Sequence, residues 1–558
     1  MGRIRLQVVI ALLAIIVLAV VLGYAAVTAT TVTLPEAGGT YIEGIAGNPY
    51  LINPVLSQAN PVDQDLVALI FTGLTRADVD GSILPDLATR WEITEGGMVY
   101  TFFLRDDVYW HDGAPFTSSD VVFTFHVMQD DAFEGMPFLS SMWRSVVVEQ
   151  LDDYTVRFIL REPFSPFLDY TTIGILPAHI LGSVDISVLS QSAFSTAPVG
   201  TGPYAVQELD LQRIVLAASP DYYGEKPYID RLEFFFYPDA PSLLEARRRG
   251  EILAMSRVLP DQLPAVLEDG SLQLYSAPLS GYNLVFLNLD RAIFQDRNVR
   301  QAMMYALNRQ QLVNDVLGGQ GIVTHSPVLP DSWAYNASTP IYEQDLRKAR
   351  TLLEESGWFD DDGDGIRQRG DLRLEFTLAT NADDPIRVQL IHAISEQLLK
   401  VGIHAIPETV GWEELVGQQL RLRRFDAVLS GWQSLPPDPD PYPYWHSSQV
   451  SENGVNFAGY ISTEADALLA EARRTTDLDT RWSLYQRFQE LFAEDVPSLL
   501  LYQPVYTYAV DESVYGVQIG PLSHSGERFR SLPAWHLSVQ RMLYSEARER
   551  GLISPTTR

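Results

Sequence analysis

Cysteine is absent from the 558 residues of this chain. That absence excludes disulfides, thiolate metal sites, a thiol nucleophile and the lipid-bearing cysteine that follows some export signals. Positive charge is scarce: 40 Lys plus Arg stand against 71 Asp plus Glu, a formal net charge of −31. Such a chain repels phosphate backbones and anionic lipid surfaces on average, so nucleic acid is not expected as a partner. The acidity serves solubility, with a weaker bias toward cationic ligands that only a local site decides. No period of roughly 20 to 50 residues recurs, which argues against solenoids and propellers. A Gly-x-x-x-x-Gly-Lys-Ser/Thr phosphate loop, a Gly-x-Ser-x-Gly nucleophile elbow and a His-Glu-x-x-His zinc helix are all missing. The histidines are scattered, and neither His111 nor His446 stands among the convergent ligands that zinc or nickel requires.

What is present is an ordinary globular composition, 46% hydrophobic and 20% charged, in a chain long enough for several domains of roughly 100 to 200 residues each. Met1 to Ala29 opens with Arg3 and Arg5 and continues as an apolar run from Leu6 to Val27 in which Gln7 is the only strongly polar residue. A helix of about 20 apolar residues spans hydrocarbon, and the two arginines should stay inside. The apolar core of a cleavable signal is shorter, about 7 to 15 residues, although Val27-Thr28-Ala29 would serve as a cleavage site. An uncleaved anchor is the favoured reading. Either way, everything after about Thr30 is expected outside the cytoplasm.

Periodicity indicates mixed α and β structure. Leu372 to Leu378 alternates apolar and polar residues as a half-buried strand does, and Tyr154 to Leu160 reads similarly. Val299, Ala302, Met303, Ala306 and Leu307 fall at helical spacings, as do Leu346, Ala349, Leu352 and Leu353 before a stop near Gly357. Thr117-Ser118-Ser119-Asp120 is patterned as a capping box, so a helix should follow Pro115. Pro and Gly clusters mark turns at Ala197 to Pro203, Ala277 to Gly281 and Pro436 to Pro443. After Trp535 the chain turns charged, and a surface helix or frayed tail is expected there.

Two short motifs invite a chemical reading. Gly200-x-Gly202 precedes Pro203 and lacks a third glycine, so it reads as a rigid turn and not a dinucleotide loop. Asp360-x-Asp362-x-Asp364-Gly365 matches the front of a calcium loop, with Asp371 at the final ligand position where a longer Glu is usual. Structural calcium on Asp360, Asp362, Asp364 and Asp371 is weighed against a solvated acidic turn. No other cofactor is expected.

Several stretches, taken in order, resemble the extracellular solute-binding proteins of ABC importers, the family of oligopeptide, dipeptide and nickel receptors. The most specific runs from Tyr100 to Phe123 and contains Tyr109-Trp110-His111-Asp112-Gly113-Ala114-Pro115-Phe116-Thr117, with Leu84-Pro85-Asp86-Leu87-Ala88 before it. Pro198 to Tyr204, Asp221-Tyr222-Tyr223-Gly224, Val299-Arg300-Gln301-Ala302, Ala306-Leu307-Asn308-Arg309, Gly402-Ile403 and Phe425-Asp426-Ala427 follow in the family's order. The His-Asp-Gly segment reads as a folding element of turn and cap chemistry.

The resemblance implies a mixed α/β, two-lobed periplasmic-binding-protein-like fold with a third subdomain, preceded by the N-terminal transmembrane or signal helix (1–29). It places a discontinuous lobe I at 34–75, 197–278 and 497–538, a subdomain inserted into that lobe at 76–196, lobe II at 279–496, and a charged tail at 539–558. It further implies capture of peptides or related solutes in an interlobe cleft and delivery to a membrane permease with its ATPase subunits, by a monomer that does no bond breaking. An oligosaccharide or a metal chelate is the alternative cargo, and a secreted hydrolase the alternative of another class. In such receptors an acidic residue of the far lobe holds a peptide's α-amino group. The corresponding region here is Ser430 to Pro441, where Asp438 is the first choice and Asp440 the second. Tyr282, Trp432 and Trp445 are expected to wall the cleft. The alternatives are exposed loop acids for the two aspartates and core packing for the three aromatics.

Overall fold

One strand, Ser498–Asp511, runs through both halves of a twelve-stranded mixed sheet in the computed structural model. Its first part pairs with Tyr282–Leu287 and its last part with Leu272–Pro278, so the chain crosses between the halves at 278–282 and again at 502–505. The structure describes residues 13, 15–21, 30–78 and 82–552. The expected anchor or signal lies largely outside them, and among the described residues no helix is long and apolar enough to cross a membrane.

The hydrophobic cores divide at the same two crossings. Tyr41, Leu66, Phe102, Phe158, Tyr508 and Trp535 belong to one core. Residues 282 to 502 build two others, one on each face of their sheet. The strand Tyr282–Leu287 shows why: Val285 and Leu287 enter one core, Tyr282, Leu284 and Phe286 the other, and all six residues are buried. A strand covered on both faces reads as a continuous apolar run, as this one does. Inserted into the first half is a four-stranded antiparallel sheet, Ala88–Thr94, Val99–Leu104, Thr155–Ile159 and Val147–Asp152, covered by the helix Ser118–Gln129.

That helix starts where its capping pattern predicts, the Thr117 amide donating to the Asp120 carboxylate at 2.9 Å. Arg297–Ala306 is helical and buries Val299, Ala302, Met303 and Ala306, each large side chain contributing roughly 1.5–3 kcal/mol. Leu346–Glu355 ends before Gly357, whose φ of +80° suits glycine. The His-Asp-Gly segment is indeed a folding element: His111 bonds the Gly202 carbonyl at 2.9 Å and accepts from the Gly200 amide at 3.2 Å.

Two local expectations are corrected. The strand expected from Leu372 to Leu378 is broken at Leu374, with Leu372–Arg373 in a small hairpin and the sheet strand running from Glu375 to Asn381. The Leu374 amide donates to the Arg367 carbonyl, which closes the hairpin and leaves Leu372 exposed. Among the described residues after Trp535 the chain is neither frayed nor wholly helical. Ser538–Leu543 pairs antiparallel with the Thr- and Val-rich strand Thr31–Glu36 before the helix Tyr544–Glu549, and Met542 is buried, as is Ala547 of that helix.

Candidate binding cleft

A cavity of about 2670 Å³ opens between the two halves, lined by residues of the first half such as Phe71, Asp169 and Tyr223 and of the second such as Trp412, Trp432 and Phe457. Its lining includes ten arginines and seven carboxylates, so inside a chain of net charge −31 the cleft is cationic on balance. The general acidity therefore does not extend to this site. Arg257 lines it without a hydrogen bond or ion pair among the described residues, while Arg387 opposite is held by Asn283 Oδ1 at 3.1 Å and Asp384 at 3.4 Å.

Three acids of the lining are shaped by burial. Asp65 accepts Arg528 Nη1 at 2.8 Å, and the same guanidinium donates to Glu43 Oε1 at 2.6 Å, with Tyr41 and Tyr508 hydroxyls on the other Glu43 oxygen. This buried group ties the helix Pro61–Ile70 and the 3₁₀ segment Ser525–Ala534 to the central strands. Asp86 accepts from the Tyr223 hydroxyl at 2.5 Å; burial pushes its carboxyl up to about 6, with Arg76 and Arg105 pulling the other way. Asp169 is pushed up to about 8, first by burial and then by the neighbouring Asp438 carboxylate, against the Asp438 amide and Arg481.

The residues expected from sequence separate. Trp432 lines the cleft, stacked on Phe457 at 5.2 Å between ring centroids, and its buried Nε1 has no hydrogen-bond partner among the described residues. Tyr282 and Trp445 do not line it. Both are core, because alternate residues of Tyr282–Leu287 point beneath the sheet, and Trp445 Nε1 donates to Tyr282 Oη there at 3.2 Å. Asp438 and Asp440 lie behind the lining, each already ion-paired. Arg481 grips Asp438 through both terminal nitrogens, at 2.7 and 3.0 Å, with Trp333 Nε1 at 3.3 Å. Arg473 donates twice to Asp440 Oδ2, at 2.7 and 3.0 Å. Neither guanidinium was legible as a partner in the sequence, being some 30 to 45 residues away on the helices Thr463–Arg474 and Leu478–Asp495.

Asp360, Asp362 and Asp364 bring carboxylate oxygens within 4.8 Å of one another on an exposed turn; Asp371 does not join them. Arg373 sits against this group, 2.7 Å from Asp364 and 3.7 Å from Asp362. Gly363 and Gly365 turn there with φ of +75° and +89°, their amides donating to Asp360.

Comparison with known proteins accords with this architecture. The model of the bacterial extracellular solute-binding proteins, family 5, matches residues 82–454. The oligopeptide-binding protein AppA of Bacillus subtilis is 33% identical over 87% of this chain and 90% of its own length, and the dipeptide-binding protein of Escherichia coli 27% over 88% and 95%. Among solved structures, AppA of B. subtilis in complex with a nonapeptide superposes with a TM-score of 0.75 at 31% identity, covering 90% of this chain and all of that one. NikZ of Campylobacter jejuni in complex with Ni(L-His) gives 0.75 at 28%, covering 89% and 99%. A two-halved α/β body around one large cleft, with its ordered motifs in place, thus has its counterpart in these receptors, and the chain belongs to the family 5 bacterial extracellular solute-binding proteins.

Proposed function

We propose that this protein is the extracytoplasmic receptor of an ATP-driven importer, that it captures peptides or related solutes between its halves, and that it passes them to a membrane permease. The observation that carries the cargo reading is the cleft itself. Its volume of about 2670 Å³ exceeds the roughly 300–1,000 Å³ that small-molecule pockets occupy, and it presents charges of both signs beside aromatic faces. A peptide offers an ammonium, a carboxylate and varied side chains to such a lining. A nickel complex would call for converging imidazoles, and His524 is the single histidine of the lining among the described residues. Arg257, without a partner among the described residues, and Arg387 across the cleft give a peptide carboxylate a place to dock.

The same reading makes the protein a binder and not a hydrolase, monomeric, and held at the outer face of the membrane by its N-terminal helix. A structural calcium ion on Asp360, Asp362 and Asp364 is a separate proposal, supported by the convergence of their carboxylates; it requires Arg373 to give way. A thermal-shift screen of short peptides, oligosaccharides and nickel chelates tests the cargo. Saturable stabilisation by peptides is expected, and stabilisation by sugars or nickel–histidine alone would overturn the reading.

A further inference from the structure

The halves meet beside the cleft where the 3₁₀ segment Ser165–Thr172 of the inserted subdomain approaches the Pro436–Pro443 loop and the helices behind it. Ser165 Oγ donates across this contact to the Thr475 carbonyl at 2.7 Å. Three carboxylates, Asp169, Asp438 and Asp440, share it with two guanidiniums. Arg481 spends both terminal nitrogens on Asp438, and its Nε is buried without a hydrogen-bond partner among the described residues; Arg473 donates to Asp440 through Nε and Nη2. Asp169 lines the cavity, faces Asp438 and receives the Asp438 backbone amide, but makes no ion pair with a guanidinium among the described residues. Among these five side chains the carboxylates outnumber the guanidiniums by one, and the carboxylate left without an ion pair is the one that lines the cavity. Tyr170 and Tyr444 line the cavity as well.

We propose that Asp169, and not Asp438, accepts the α-ammonium of a bound peptide or a primary ammonium presented in its place. The assignment rests on the peptide-receptor reading and adds to it which residue, on which half, recognises the amine. A carboxylate held against another in a closing interface must either keep a proton or acquire a cation. An ammonium supplies that cation as a compact group with three donors. Its arrival replaces the proton that otherwise offsets the repulsion between Asp169 and Asp438. The Asp438–Arg481 pair is the fixed wall behind it.

The test compares a pool of random hexapeptides with free amino termini and the same pool N-acetylated, titrated into the full-length chain and its Asp169→Asn, Asp169→Glu and Asp438→Asn variants. For the parent, acetylation should weaken binding at least about 30-fold, as loss of one partner of a buried charge pair does. Asp169→Asn should bind the free pool that much more weakly and no longer distinguish the two pools, while Asp169→Glu keeps the preference. Asn matches the protonated acid in shape, so the variant should fold; Asp169→Ser replaces it if melting shows otherwise. If the parent binds both pools equally, or if Asp169→Asn still prefers free amines as the parent does, the assignment falls while the receptor reading stands. If Asp438→Asn alone abolishes the preference, the amine site is Asp438 and the assignment also falls. If neither pool binds the parent, the peptide reading fails and takes this one with it.

Discussion

Arg481 holds Asp438 in a two-point ion pair, Nη2 to Oδ1 at 2.7 Å and Nη1 to Oδ2 at 3.0 Å, and the arginine side chain is only 3% exposed. The pair joins the Pro-rich loop to the helix Leu478–Asp495, so its first consequence is for folding. Arg481→Met leaves a carboxylate with little solvent and no cation, and should cost about 3 kcal/mol, the lower end of what breaking a buried pair costs because Asp438 keeps some exposure. The double variant Asp438→Asn, Arg481→Met should recover part of that loss. Denaturant unfolding of the three proteins checks both statements; a single-variant cost below about 1 kcal/mol would mean the pair is effectively solvated.

Asp169 makes the unliganded protein sensitive to pH. Its folded carboxyl is raised to about 8, above the ordinary 3.8, so the folded state binds the proton more tightly than the unfolded state. The resulting contribution is present at pH 4 and is lost as pH rises toward and through about 8. The groups facing it are Asp438, Arg481 and, next in sequence, Tyr170. The parent should therefore lose melting temperature between pH 5 and 9 relative to Asp169→Asn. With a free-amine peptide bound, the ammonium replaces the proton, so binding near neutral pH should release protons and strengthen as pH rises, until the peptide amine itself deprotonates near pH 8. Melting curves and calorimetry in buffers of different ionisation enthalpy read the two effects.

Gly281 sits where the chain crosses between the halves, and a methyl group there would stand 2.3 Å from the Trp432 carbonyl oxygen and 3.0 Å from Gln433 Cα. Both are backbone atoms beside the pairing of Tyr282 with Trp432. Gly281→Ala should cost about 1–3 kcal/mol and weaken ligand binding, because the strand beneath Trp432 must shift. Gly270→Ala, which meets nothing within 4 Å, should stay within about 0.5 kcal/mol of the parent. Equal melting of the two variants would contradict the close packing at the crossing.

Local chemistry was legible wherever its partners are neighbours in sequence. Thr117 and Asp120 are three residues apart and announced a helix; Val299 to Ala306 announced another by spacing alone. Side-chain roles at the cleft depend on partners brought close by the fold. Asp438 looked free because Arg481 lies on a distant helix, Tyr282 looked like a cleft wall because an apolar strand does not reveal which of its two covered faces borders a cavity, and Trp445 because its one-turn helix Tyr442–Trp445 carries no periodicity that tells its buried side. Asp169 carried no signal, since Pro166-Phe167-Leu168-Asp169-Tyr170 reads as ordinary core with one polar residue. The acidity of the whole chain likewise hid a cleft whose lining is richer in arginine than in carboxylate.

On the Asp360 turn, calcium should raise the melting temperature of the parent and leave that of an Asp362→Ala, Asp364→Ala variant unmoved. Because Arg373 already neutralises part of the group, Arg373→Gln should respond at lower calcium than the parent. No shift in either protein would leave an acidic turn closed by its own arginine.

Native mass spectrometry of the full-length chain in detergent, incubated with a random hexapeptide pool and then released, separates capture from cleavage. One peptide per chain is expected, retained through buffer exchange and recovered at its original mass. Failure to retain any peptide, or recovery of cleaved peptides whose formation a single serine or histidine substitution abolishes, would contradict the receptor reading.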